Sequence, residues 1–251
     1  MSTQRPPVAG TTPDGTASEE QAAQWVRGMF GRVAPRYDLL NHLLSANIDK
    51  MWRARTVEMV SPWLNRPQAR VVDLACGTCD LLRALEGGGP AQSFGSDFCH
   101  PMLTAAQKKD LRSPLFEADA LQLPVRDGSF DLVTAAFGFR NFANYRRGLA
   151  EMYRVLKPGG LVAILEFSTP PNAAFAALYN WYSTQVLPKI GGLLSGAPDA
   201  YTYLTESVKK FPGAEALAEE MKATGYANVR FERMTFGIVA LHLGEKPTPS
   251  A

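Results

Sequence analysis

Apolar and polar positions along this chain alternate between two kinds of stretch. Short apolar runs read as strands at Arg70–Leu74, Gln92–Ser96, Leu115–Glu117, Asp131–Ala136 and Leu161–Glu166. Helical patterning fills the gaps over Leu81–Glu86, Met102–Leu111 and Tyr145–Leu156. This alternation predicts an α/β fold with a doubly wound, mostly parallel sheet. Two further strands, Val229–Arg233 and Ile238–Leu243, follow a helix over Ala214–Thr224 and bring the sheet to seven. Pro158-Gly159-Gly160 reads as the turn that stops one helix and starts the fifth strand.

Upstream of the sheet the pattern is helical. A helix is expected from Ser18 to Val33, with Ser18 as its cap and Glu19 and Glu20 in its first turn. Shorter helical pieces follow over Tyr37–Leu44 and Lys50–Val60. Residues 172–210 break the strand–helix rhythm and form an aromatic-rich helical insert. The expected organisation is a disordered tail over 1–17, a single domain over 18–246 and a short tail over 247–251. Within that domain, 18–62 form an N-terminal helical cap.

Composition narrows the class. The 251 residues are 46% hydrophobic, enough for a sizeable core, and the formal net charge is only +2 without a concentrated basic run. Nucleic acid is therefore not an expected partner. Three cysteines suggest no disulfide framework, so a reducing cytoplasm is the expected compartment. No apolar run reaches the length of about 18 residues that a bilayer-spanning helix needs, and the N-terminus lacks a signal-peptide layout.

The most telling stretch is Val71-Val72-Asp73-Leu74-Ala75-Cys76-Gly77-Thr78-Cys79-Asp80. An apolar strand ends in an acid and hands over to a helix through small residues, as it does where the backbone lies close to a ligand. It resembles the first motif of S-adenosylmethionine-dependent methyltransferases, with Cys79 in place of the final Gly. Ligands of open α/β sheets bind beyond the carboxyl ends of the strands. There Gly77 gives the loop room, Thr78 can hydrogen-bond the amino-acid part of a cofactor, and Asp73 can anchor its ammonium. Asp97 ends the second strand, where a carboxylate can take both ribose hydroxyls. Asp119 and Ala120 follow the third, where an acid and a backbone N–H can read adenine. Each Asp alone could equally be a turn or cap residue; three at successive strand ends favour a cofactor site.

Later motifs narrow the resemblance. Phe137-Gly138-Phe139-Arg140-Asn141, Tyr37-Asp38-Leu39-Leu40-Asn41 and Gly237-Ile238-Val239-Ala240-Leu241-His242 together resemble the ubiquinone/menaquinone biosynthesis C-methyltransferase family, from about Trp25 to Lys246. The resemblance implies a Rossmann-like methyltransferase fold with S-adenosyl-L-methionine as cofactor and a polyprenylated quinol as substrate. Carried over by motif, Thr78, Asp97, Asp119 and Ala120 match cofactor-binding positions, and Ala136 stands where the family often has Ser. Methylating a quinol carbon needs a phenolate-like ring, hence a base or a stabilising cation. Arg140 is the first choice for that cation, with Tyr37 closing the site, Asn141 orienting a ring oxygen, and His42 and His242 as candidate bases.

The aromatic insert would suit a cover over the quinol and its tail, or could simply pack an added layer. A prenyl tail implies visits to the inner face of a membrane, although no amphipathic anchor stands out. Ring type, tail length and homodimer formation stay open. Cys76-Gly77-Thr78-Cys79 is formally a redox dithiol or, with Cys99 and His100, half of a zinc site. Neither explains the acids, so no metal is expected. A methyltransferase for another small acceptor and a non-catalytic cofactor-binding scaffold remain alternatives. Cys79 and Cys99 are expected to flank the pocket.

Overall fold

A computed structural model describes residues 10–37, 45, 47–186 and 198–249. Helix α1 (Glu19–Val33) opens on Ser18, whose hydroxyl accepts the Gln21 N–H at 3.2 Å, with Glu19 and Glu20 in the first turn. Helix α2 covers Ile48–Leu64. The sheet then begins with β1 (Arg70–Leu74), α3 (Asp80–Gly87), β2 (Gln92–Asp97), α4 (His100–Ala106) and β3 (Leu115–Glu117). It continues with β4 (Phe130–Ala136), α5 (Tyr145–Val155) and β5 (Leu156–Phe167). Helix α6 (Ala173–Trp181), a π-helical turn over Tyr182–Val186 and helix α7 (Pro198–Lys210) fall in the described part of the insert, before α8 (Ala214–Thr224), β6 (Ala227–Met234) and β7 (Val239–Glu245).

The seven strands lie in the order β3-β2-β1-β4-β5-β7-β6. All pairings are parallel except those of β7, which runs antiparallel to β5 and β6. Side chains alternate between the faces of the strands. Val72, Leu74, Val133, Val162 and Ile164 join Leu149 and Met152 of α5 and Leu217 and Met221 of α8 in one core. Val71, Leu132, Leu161 and Leu165 face Trp52, Val60 and Leu64 of α2 with Leu81 and Leu85 of α3 on the other. Helices cover both faces, as a central parallel sheet requires. The strand order turns from β1 toward β2 on one side and β4 on the other, which opens a crevice at their carboxyl ends.

Three expectations are corrected. The Lys157-Pro158-Gly159-Gly160 segment does not precede β5 but lies within it, as an irregularity where the pairing with β4 passes from Phe130–Leu156 to Leu132–Leu161. Gly159 has φ +74°, and its N–H reaches the Lys246 carbonyl at 2.8 Å, so the turn is absorbed as a bulge. Helix α4 stops at Ala106 rather than Leu111; Leu111 N–H closes a tight turn on the Lys109 carbonyl (2.9 Å), and Lys109 reaches back to Asp80 Oδ1 at 2.6 Å. Residues 10–17 are ordered. Thr11 is buried, with its N–H on the Phe142 carbonyl and its hydroxyl on Tyr203 Oη, both at 2.8 Å. A Cβ on Gly10 would stand 2.0 Å from the Ala143 carbonyl oxygen. The glycine that made this segment look unstructured permits its close approach. The helical piece expected over Tyr37–Leu44 lies outside the described residues apart from Tyr37.

Candidate active site

The β1–α3 loop turns sharply because Ala75 (φ +48°), Gly77 (+55°) and Cys79 (+68°) are all left-handed. Gly suits such angles, while an L side chain is strained there. Cys79 accepts that conformation fully buried, against Leu82, Leu103 and Ala106 and with its Sγ 3.5 Å from Cys76 Sγ. Opposite, Gly138 lets the β4 loop close in: a Cβ there would sit 2.6 Å from the Ala75 Cβ. Between these loops lies a cleft of about 940 Å³ including its open mouth. Asp73, Gly77, Thr78, Asp97, Asp119, Ala120 and Ala136 all line it. The structure thus brings together every residue that sequence reasoning gave to the cofactor.

Two of its acids are poised. Burial pushes the Asp73 carboxyl up to about 7, against the opposing pull of the Thr134 hydroxyl, which donates at 2.6 Å, and of the nearby Arg53 charge. Burial pushes Asp97 up to about 6, although Oδ1 accepts the Cys99 N–H (2.8 Å) and Oδ2 the Gly77 N–H (2.7 Å). Asp119 is exposed and takes the Leu121 N–H on Oδ1 (2.8 Å), so it also holds its own turn. A cleft with four acids (Asp73, Asp80, Asp97 and Asp119) suits a cationic ligand. Strand-end carboxylates with free lone pairs suit ribose hydroxyls and an exocyclic amine. S-adenosylmethionine carries all of these groups, and the residues present fit it.

A second, larger cavity adjoins the first. Its apolar wall includes Trp52, Phe137, Phe167, Tyr179 and Tyr182, and Arg140 lines it too. Tyr37, Arg53 and Phe137 line both cavities and form the wall between them. Arg140 is buried. Its Nη1 donates to Glu166 Oε1 at 2.9 Å and to the Phe137 carbonyl, its backbone N–H donates to Glu166 Oε2 at 3.1 Å, and its Nε has no protein partner. Burial acts to lower its pKa, but Glu166, Tyr37 and Tyr203 outweigh that and move it up, so the guanidinium stays charged. The Phe167 ring lies 5.2 Å from its guanidinium carbon.

Other expected site residues fall elsewhere. Asn141 lines the cofactor cleft rather than the second cavity, and its amide oxygen accepts the Tyr203 hydroxyl at 2.9 Å, so it braces α7 instead of a ring oxygen. His242 sits on β7, paired between Ile164 and Phe231, and lines neither cavity. Burial holds it down to about 4 with Nε2 against the Ala214 carbonyl at 2.9 Å, so it is a neutral core residue, not a base. His42 lies outside the described residues. Of the cysteines only Cys76 lines the cleft; Cys79 and Cys99 are buried behind it. His100 bonds Glu117 at 3.0 Å, and among the described residues no group of three or more His, Cys, Asp and Glu could hold a metal ion. Sequence reasoning missed Glu166 and Arg53. Glu166 is the lone acid in the apolar run Leu161–Phe167, a signal that was available.

The description of the ubiE/COQ5 methyltransferase family matches residues 16–246, which include every cleft residue named above. The chain belongs to that family. It is an S-adenosylmethionine-dependent methyltransferase. This methyltransferase is 50% identical over 224 residues to a demethylmenaquinone methyltransferase of Thermus thermophilus, covering 87% of this chain and all of that protein. It is 45% identical over 247 residues to the protein of the same name in Deinococcus radiodurans, covering 96% and 98%. Among solved structures, a SAM-dependent methyltransferase of Thermotoga maritima superposes with a TM-score of 0.62 at 18% identity, over 87% of this chain and 98% of that one. Phosphoethanolamine N-methyltransferase 2 of Haemonchus contortus, in complex with S-adenosyl-L-methionine, does so at 0.57 and 17%, over 77% and 52%. These two likenesses concern the fold, the Rossmann-like sheet of the methyltransferases.

Proposed function

We propose that this methyltransferase methylates a ring carbon of a polyprenylated quinol of the demethylmenaquinol type. The observation that carries the reading is the wall of Tyr37, Arg53 and Phe137, where the acidic cofactor cleft meets a large aromatic cavity. An apolar ring and tail suit that cavity, and relatives at 45–50% identity bear the name demethylmenaquinone methyltransferase.

Bound in the cleft, S-adenosylmethionine supplies a methyl group already activated on sulfur. The chain's remaining task is to align a carbon nucleophile and to exclude water. Asp73 anchors the ammonium, Asp97 the ribose, and Asp119 with the Ala120 N–H the adenine. Across the wall, Arg140 supplies the charge that makes a quinol hydroxyl easier to ionise. Its Nε is a buried donor without a protein partner, and a ring oxygen there would complete it. Ionisation raises electron density on the neighbouring ring carbon. The hydroxyl proton leaves first; after transfer the ring proton leaves and the oxygen regains one, so the quinol is restored with one proton released per methyl group. Tyr37 closes the junction from the side of α1.

A prenyl tail resides in a bilayer. Leu178, Trp181 and Phe236 stand exposed on or beside elements that line the second cavity, which supports transient contact with the inner face of a membrane. Among the described residues no helix is long and apolar enough to cross one.

The test is turnover with S-adenosylmethionine and separately supplied demethylmenaquinol, its oxidised quinone, and the benzoquinol precursor of ubiquinone. Methylated product from the reduced naphthoquinol alone is expected. Product from the oxidised ring, or none from either quinol while cofactor binds, refutes the assignment.

A further inference from the structure

Arg53 stands outside the motifs quoted above, yet the fold places it where two cavities meet. It lies on α2, is buried, and lines both the cofactor cleft and the acceptor cavity. Among the described residues that line the cofactor cleft it is the sole cation, facing four acids. Asp49 holds one end of its guanidinium, Asp80 stands 3.5 Å from the other, and Phe137 lies under it at 5.9 Å.

The amino-acid head of S-adenosylmethionine brings a carboxylate as well as an ammonium. A carboxylate in an acidic, half-buried cleft needs a donor. Glycine-rich loops often provide backbone N–H groups for an anion. Here three of them are spent within the protein: Cys76 N–H on the Ser96 carbonyl (3.0 Å), Gly77 N–H on Asp97 (2.7 Å) and Cys79 N–H on the Cys76 carbonyl (2.7 Å). With these three spent, a charged side chain is the strongest donor at hand. Arg53 is at the correct end: it pairs with Asp80, the first residue after the loop, and its charge is felt by Asp73.

We infer that Arg53 is the anchor for the carboxylate of S-adenosylmethionine. Asp49 and Asp80 aim the guanidinium, and Asp73 takes the ammonium beside it, so the zwitterionic head is read by one cation and one acid. Because Arg53 also faces the acceptor cavity, this clamp sets the amino-acid end of the cofactor against the wall that the methyl group crosses. Lysine in its place keeps the charge but not the two-sided hold.

Calorimetric titration with S-adenosylmethionine and with its decarboxylated form tests this without turnover. Wild-type protein is expected to bind S-adenosylmethionine about 10- to 100-fold more tightly, the range of a charge-assisted hydrogen bond. Arg53→Gln should abolish that preference by weakening the first ligand alone, with Arg53→Lys in between. Equal affinities in the wild type overturn the inference whether or not any variant folds. A like weakening of both ligands in Arg53→Gln also overturns it, as does an unchanged S-adenosylmethionine affinity combined with lost quinol turnover, which would assign Arg53 to the acceptor. Binding of neither ligand by the wild type would instead refute the cofactor itself.

Discussion

Replacing Glu166 with glutamine is expected to unbalance the floor of the acceptor cavity. Glu166 is fully buried and accepts three hydrogen bonds, from Arg140 Nη1 (2.9 Å), Arg140 N–H (3.1 Å) and its neighbour's Phe167 N–H (2.8 Å). Glutamine preserves shape but removes the charge, and leaves a buried guanidinium compensated only by carbonyls and aromatic faces. Breaking a buried pair from one side costs about 3–5 kcal/mol. For a domain of this size that lowers Tm by about 6–20 °C. The pair itself need not stabilise relative to apolar residues, because desolvation offsets most of the attraction. The double variant Glu166→Leu/Arg140→Met is therefore expected within about 2 kcal/mol of wild type. Urea denaturation of wild type, Glu166→Leu, Arg140→Met and the double closes the cycle, with Glu166→Gln measured beside it. A Glu166→Gln loss below about 1 kcal/mol, or a double variant equal to the sum of its singles, refutes the argument that Glu166 and Arg140 act as one unit.

Three further outcomes follow from the cleft. Asp97→Ala removes the proposed ribose acceptor and the partner of two backbone N–H groups, so the Kd for S-adenosylmethionine should rise at least about tenfold in calorimetry, with the fold retained by circular dichroism. Asp73, raised to about 7, favours folding most below the ordinary carboxylate pKa, a contribution lost as pH rises through about 7; a cationic ligand favours the ionised form, so S-adenosylmethionine should bind more tightly as pH rises from 5.5 to 8. Titrations at pH 6 in buffers of different ionisation enthalpy should show net proton release, and uptake would contradict this. Gly138→Ala forces a Cβ to 2.6 Å from the Ala75 Cβ and should cost about 1–3 kcal/mol in urea denaturation while weakening the cofactor; an unchanged affinity would show that the two loops need not touch.

The sheet was legible because its signals are local. An apolar run ending in Asp73 and a turn of small residues announce a strand handing over to a helix, and the other cofactor residues stand at equivalent strand ends. The acceptor side was harder, since its residues meet only through the fold. Glu166 carried the clue of a lone acid in an apolar run, but nothing local tells a buried acid from one facing water. Arg53 is one of three basic residues within a few positions of α2, beside Lys50 and Arg55, and only packing distinguishes it. His242 misled because a histidine's ordinary pKa suggests a base, whereas its neighbours on β5 and β6 keep it dry and neutral. The segment over 10–17 misled through composition: its order comes from Phe142 and Tyr203, more than a hundred residues away.

The most direct test is a crystal structure with S-adenosylhomocysteine and a demethylmenaquinol analogue bound together. The account predicts the thioether sulfur at the wall of Tyr37, Arg53 and Phe137, and the ring on the far side with one oxygen at Arg140 Nε. A quinol seated outside the cavity of Trp52 and Tyr179, or a sulfur turned away from that wall, would contradict it.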